Sequence, residues 1–144
     1  MSRSGLSLLL ITLLLFTASA GLAAHGEGGK DSPYPAVTAE EIKASLTGKS
    51  KVYIIDVRSL KEYKYSHIPG AVNVPSPAVK MLSDRLPKDK SASIILYERG
   101  DSIMGTERAF KSLVKMGYKN IRHFKGGILQ WQNLHYPVNK GSRP

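Results

Sequence analysis

The chain has 144 residues, 42% of them hydrophobic, which allows one domain with one modest core. It contains no cysteine, and this excludes a disulfide framework, thiolate catalysis, persulfide carriage and thiolate metal ligation. The formal net charge is +10, but the lysines are scattered from Lys30 to Lys140 without a dense run. A solvated basic surface is the expectation, with an acidic protein partner or a small anion as the next reading and no nucleic acid. Against an acidic partner, such a surface raises the association rate more than the affinity.

The chain begins with Arg3, an apolar run from Leu6 to Phe16, and the small-residue triplet Ala18-Ser19-Ala20 before Gly21. This pattern predicts a secretory signal peptide over residues 1–20, with cleavage as late as residue 24, and export to the periplasm or cell envelope. The competing expectation is an uncleaved membrane anchor, since Gly5 to Ala24 is long enough to span a bilayer. Loss of the segment removes only Arg3, taking the net charge from +10 to +9 (+10 − 1). Residues 21–37 are rich in Gly, Pro and charge and are expected as a flexible tether. The domain itself is expected over residues 38–144.

Within it, Thr38 and Glu41 fit a capping box, followed by a helix with Ile42 and Leu46 on one face and Gly48 at its end. Val52 to Val57 is a nearly continuous β-rich run that suits a strand covered on both faces of a parallel sheet. Ala71 to Val74 is a short strand stopped by Pro75, and Pro77 to Leu82 is expected to make one or two helical turns. Ser93 to Tyr97 is a second buried strand. From Thr106, expected as an N-cap, the residues Ala109, Phe110, Leu113, Val114 and Met116 mark one helical face closed by Gly117. Ile121 to Phe124 is a last strand, and Ile128 to Leu134 a short helix. Strands alternating with helices predict an α/β fold with an open, mainly parallel sheet flanked by helices on both sides.

Several residues carry local expectations. Asp56, at a strand end, is placed to accept backbone hydrogen bonds from the turn beyond it. Arg58 and Glu62 are four apart and opposite in charge, so they are placed to pair if Ser59 to Tyr63 is helical. Pro69-Gly70 suits a turn with Gly at positive φ, and Gly126-Gly127 permits close backbone approach. Trp131 is expected as a core or interface anchor and His67 as a turn stabiliser. The histidines His25, His67, His123 and His135 fit no metal-binding spacing, and neither a metal nor another cofactor is expected.

The words Asp56-Val57-Arg58, Glu62-Tyr63 and His67-Ile68-Pro69-Gly70-Ala71-Val72-Asn73-Val74-Pro75, with Gly117-Tyr118, Gly126-Gly127, Trp131 and Pro137-Val138, resemble the signatures of rhodanese-like domains in order and spacing. The resemblance covers residues from about 38 to 140. It implies a cysteine after the strand that ends at Tyr97, one that takes sulfane sulfur from a donor such as thiosulfate and passes it to a thiophilic acceptor. It also implies a loop whose N–H groups surround the sulfur, with a helix N-terminus facing it.

Here that position is best matched by Glu98. The loop Glu98-Arg99-Gly100-Asp101-Ser102-Ile103-Met104-Gly105 is about two residues longer than the usual six-residue loop of the family. Its length resembles that of rhodanese-like phosphatase domains, which also need the cysteine. A carboxylate at the floor of such a cradle would repel thiosulfate or phosphate. The expectation is therefore a binding or regulatory module, with no catalytic residue assigned. The alternatives are an enzyme that reuses Glu98 or Ser102 in other chemistry, or a protein that binds sulfur anions without turnover.

Overall fold

The computed structural model describes residues 34–48 and 51–144. The expected signal segment and the tether up to residue 33 lie outside the described residues. Thr38 caps the first helix, α1 (Ala39–Thr47), by the reciprocal box read from the sequence: the Glu41 N–H donates to Thr38 Oγ1 at 3.2 Å, and the Thr38 N–H to Glu41 Oε2 at 2.7 Å. Four strands follow, β1 (Val52–Asp56), β2 (Val72–Asn73), β3 (Ser93–Tyr97) and β4 (Ile121–Phe124), with α2 (Leu60–Tyr65), α3 (Met104–Lys115) and α4 (Gly127–Asn133) between and after them. The segment after Pro75 forms two separate 3₁₀ turns, Ser76–Ala78 and Ser83–Arg85, rather than one helix.

The strand order is β2-β1-β3-β4, and every strand pair is parallel. The period of two along each strand sends alternate residues to opposite faces. Ile54, Ile95, Tyr97 and Phe124 pack on one face with Ile42 of α1, Tyr63 of α2, and Ile128 and Trp131 of α4. Ile55, Val57, Ile94, Leu96 and Ile121 pack on the other with Val79, Leu86, and Ala109 and Leu113 of α3. The near-continuous apolar runs of β1 and β3 follow from this, since both faces are covered by helices.

Several sequence expectations are corrected by this packing. Val37 is buried, and the backbone of residues 35–37 hydrogen-bonds to His123, so the last residues of the expected tether line the edge of β4. Leu46 and Val114 are exposed rather than part of the packed helix faces. The α3 helix starts at Met104, two residues before the expected Thr106 cap, so Met104 and Gly105 belong to its first turn and Thr106 is buried inside it. Among the described residues no helix is long and apolar enough to cross a membrane.

The chain runs from β1 outward to β2, then crosses back to β3 and on to β4. The carboxyl ends of β1 and β3 therefore flank the point where strand order reverses, the usual place for a ligand crevice in an open parallel sheet.

Candidate functional site at the ends of β1 and β3

Both strand ends carry a carboxylate. Asp56, the last residue of β1, is fully buried. It accepts the backbone N–H of Arg58 at 2.9 Å, as the turn chemistry requires, and three contacts from the guanidinium, Nε to Oδ1 at 3.0 Å and to Oδ2 at 3.2 Å and Nη2 to Oδ2 at 2.5 Å. The same guanidinium donates to the Ser66 carbonyl at 2.7 Å. Burial pulls the Arg58 pKa down, but the hydrogen bonds and charge of Asp56 outweigh it and the net shift is upward. Asn73 closes the frame, its amide donating to the carbonyls of Asp56 at 3.1 Å and Arg58 at 2.9 Å. Burial, and then the charge of Asp56, raise the phenol of Tyr97 well above its usual value.

The expected Arg58–Glu62 pair does not form. Arg58 turns to Asp56, and the Glu62 carboxylate accepts the Ser59 N–H at 3.1 Å and its hydroxyl at 2.6 Å. These bonds belong to a second capping box, which starts α2. The Ser-x-x-Glu spacing of Ser59 and Glu62 is the sequence signal that reveals it.

At the end of β3 the carboxylate is held differently. Glu98 Oε1 accepts the Thr106 hydroxyl at 3.1 Å and the Thr106 N–H at 3.4 Å, and the carboxylate also takes a bond from the Gly105 N–H. The Met104 N–H goes to Ser102 Oγ at 3.2 Å, and the Glu107 N–H to the Ile103 carbonyl at 2.8 Å. Three of the free N–H groups at the head of α3, those of Met104, Gly105 and Thr106, are thus satisfied by side chains of the loop, and the Glu107 N–H makes the first intrahelical bond. Ile103, at the N-cap position, has no side chain that can do this, and Glu98 supplies the cap from across the loop. Gly105 makes room for it: a Cβ there would lie 2.9 Å from Glu98 Oε2. Burial nevertheless raises the Glu98 pKa, because the Thr106 and Gly105 hydrogen bonds offset the lost hydration only in part.

The loop between is clamped to α4. The Ile128 and Leu129 N–H groups donate to the carbonyls of Glu98 and Arg99, each at 3.0 Å. Gly100, at φ +117°, leaves no space for a side chain against the Gly126 carbonyl, and a Cβ on Gly127 would lie 2.6 Å from the carbonyl carbon of Arg99. The Gly126-Gly127 pair therefore serves the close approach expected of it. Arg99 and Asp101 pair at 3.5 Å with both side chains more than half exposed, so their attraction is weak. Met104 is also exposed.

The structure thus brings Glu98, Gly105 and Thr106 together and joins Arg99 and Gly100 to Gly126 and Gly127. It leaves Asp101 and Ser102 exposed at the rim of the loop. The remaining signature residues are scaffolding. His67 is buried and stacks on Tyr63 at 3.8 Å, and its backbone bridges Asn139. Gly70 takes φ +76° after Pro69, and Trp131 is fully buried with its indole N–H on the Pro137 carbonyl at 2.7 Å. Among the described residues no group of three or more His, Asp or Glu side chains is placed to hold a metal ion.

This architecture has known counterparts. Residues 38–134 match the model of the rhodanese-like domain, and the chain belongs to that family. It is 30% identical to the rhodanese-like domain of the Alr3790 protein from Anabaena, with a TM-score of 0.64 over 75% of this chain and 80% of that one. It is 27% identical to a thiosulfate sulfurtransferase from Pseudomonas aeruginosa, with a TM-score of 0.63, covering 75% of this chain and 20% of that one. It is also 32% identical over 113 residues to the HTH-type transcriptional regulator Rv0324 of Mycobacterium tuberculosis, covering 77% of this chain and 47% of the regulator. The chain spans from about a fifth to about half the length of the curated relatives it matches.

Proposed function

We propose that this rhodanese-like domain is an exported binding or regulatory module of the cell envelope that does not perform sulfur transfer. The observation that carries the proposal is the seat of Glu98. Its carboxylate lies on the Gly105 and Thr106 N–H groups at the head of α3, in a chain with no cysteine at all. Persulfide chemistry needs a thiolate, and the N–H groups that would stabilise a sulfur anion are already used by a negative charge. The apolar run and the small-residue triplet before Gly21 support export. A general-base role for Glu98 gains little support: its raised pKa suits one, but the carboxylate is bonded to Thr106, and Ser102 Oγ is occupied by the Met104 N–H.

Thiosulfate:cyanide sulfurtransferase activity of the purified chain tests the proposal. No turnover above the uncatalysed rate is expected, and clear turnover by the wild type overturns it. Glu98→Cys is expected to place a thiol beside the vacated N–H groups with a pKa below the ordinary ~8.5 of free cysteine. An unperturbed thiol would show that the anion position depends on the longer glutamate side chain.

A further inference from the structure

Beside the loop, α2 and the start of α4 enclose an open groove of about 700 Å³ to which Arg99 also contributes. This is the size of a site that seats a bulky side chain or a small ligand. Its exposed apolar surface comes from Tyr65, 78% exposed, and Leu129, 36% exposed, with the buried Ile128 behind them. Its floor is tied in place, with Arg58 donating to the Ser66 carbonyl at 2.7 Å and Gln132 to Ser66 Oγ at 3.1 Å.

The charges that line it are mostly positive. Lys61 and Lys64 lie one helical turn apart on α2 and are exposed, as is Arg99. The single carboxylate in the lining, Glu62, is committed to the Ser59 cap. Asp101 meets Arg99 only in a 3.5 Å exposed pair, which an incoming carboxylate can replace at little cost.

We propose that this groove docks an acidic peptide segment of a partner protein, with one bulky apolar side chain against Tyr65 and Leu129 and its carboxylates on Lys61, Lys64 and Arg99. The inference rests on the binding-module reading and gives it a site and a partner class. Cations on two elements, Lys61 and Lys64 on α2 and Arg99 on the loop, beside exposed apolar side chains suit an extended peptide better than a small anion, which needs convergent donors. The concave shape suits a protruding side chain better than a lipid surface. The rim charges set association rate and salt dependence, and the buried apolar anchor sets residence time.

The test uses the full chain and a fluorescent seven-residue peptide of aspartate and glutamate around a central phenylalanine. Binding is followed by anisotropy at low and high salt, and amide shifts map the site. Expected are saturable binding that weakens with salt, shifts centred on Tyr65 and Leu129, and a loss of affinity of at least tenfold for Lys61→Glu with Lys64→Glu. The same charge change at Lys80 and Lys119, outside the groove, is expected to alter affinity less than threefold. Equal losses in the two double variants, shifts centred elsewhere, equal binding of a peptide with lysine for its acids, or no binding overturns the proposal. Binding to phosphatidylglycerol vesicles that needs Lys61 and Lys64, without peptide binding, also overturns it, in favour of a lipid surface. Failure of the peptide with a wild type silent in sulfur transfer removes the groove alone. Wild-type turnover removes the inactive-module reading, whatever the peptide does.

Discussion

The neighbouring strands β1 and β3 end in the same kind of group and use it in opposite ways. Asp56 is completely buried and is matched by a guanidinium, a backbone N–H and a framing asparagine. Glu98 is half-buried, has no cation bonded to it among the described residues, and is held by the hydroxyl and N–H groups at the head of α3. The first arrangement is a closed frame that fixes the turn into α2. The second caps the head of α3 through hydrogen bonds, while burial raises its pKa and so works against its charged form. A carboxylate at a strand end therefore says little until its partners are known.

The largest expected effect comes from opening the closed frame. Asp56→Ala strands the Arg58 guanidinium in a buried site, and a loss of about 3–5 kcal/mol in urea unfolding is expected. If that variant does not fold, Asp56→Asn provides the measurement, and a cost below about 1 kcal/mol would remove the contrast between the two ends. Next is the clamp behind Glu98. Gly100→Ala forces a Cβ against the Gly126 carbonyl at φ +117°, and a loss of about 1–3 kcal/mol is expected, with amide shifts at Ile128 and Leu129. Thr106→Val keeps the side-chain shape but removes the hydroxyl bond to Glu98. A cost of about 1–2 kcal/mol is expected, together with a further rise in the Glu98 pKa on NMR titration.

The smallest effect is the pH dependence of Glu98 itself. Its folded pKa is raised above the unfolded value, so in the intervening window the folded state binds more protons. Its contribution to stability is then fully present below the unfolded carboxylate range and is lost as pH rises through the folded pKa. The stability of wild type relative to Glu98→Gln should accordingly fall as pH rises from the unfolded carboxylate range through the raised folded pKa. A difference that grows with pH would mean that the carboxylate is stabilised by its seat more than it is penalised by burial.

Much of the fold was legible because it rests on local patterns. The apolar runs of β1 and β3, the Thr38–Glu41 box and the Pro69-Gly70 turn are short-range signals, and each forms as expected. Where the expectations missed, the deciding contact was usually distant or competing. Arg58 had two carboxylates within reach, and four-residue spacing favoured Glu62. The buried Asp56 beside it won, because a desolvated carboxylate needs a cation more than an exposed one does. Thr106 looked like a cap because the glutamate that serves that end of α3 is eight residues away in sequence.

The sequence by itself determined the parallel α/β architecture, the family, and the loss of thiol chemistry, since periodicity, turn residues and the absence of a side-chain type are all one-dimensional facts. Only the tertiary structure decided what Glu98 does in the cysteine's absence and which surface is left open. Both depend on bringing the end of β3, the head of α3 and the start of α4 together, and no local spacing encodes the hydrogen bonds made between them.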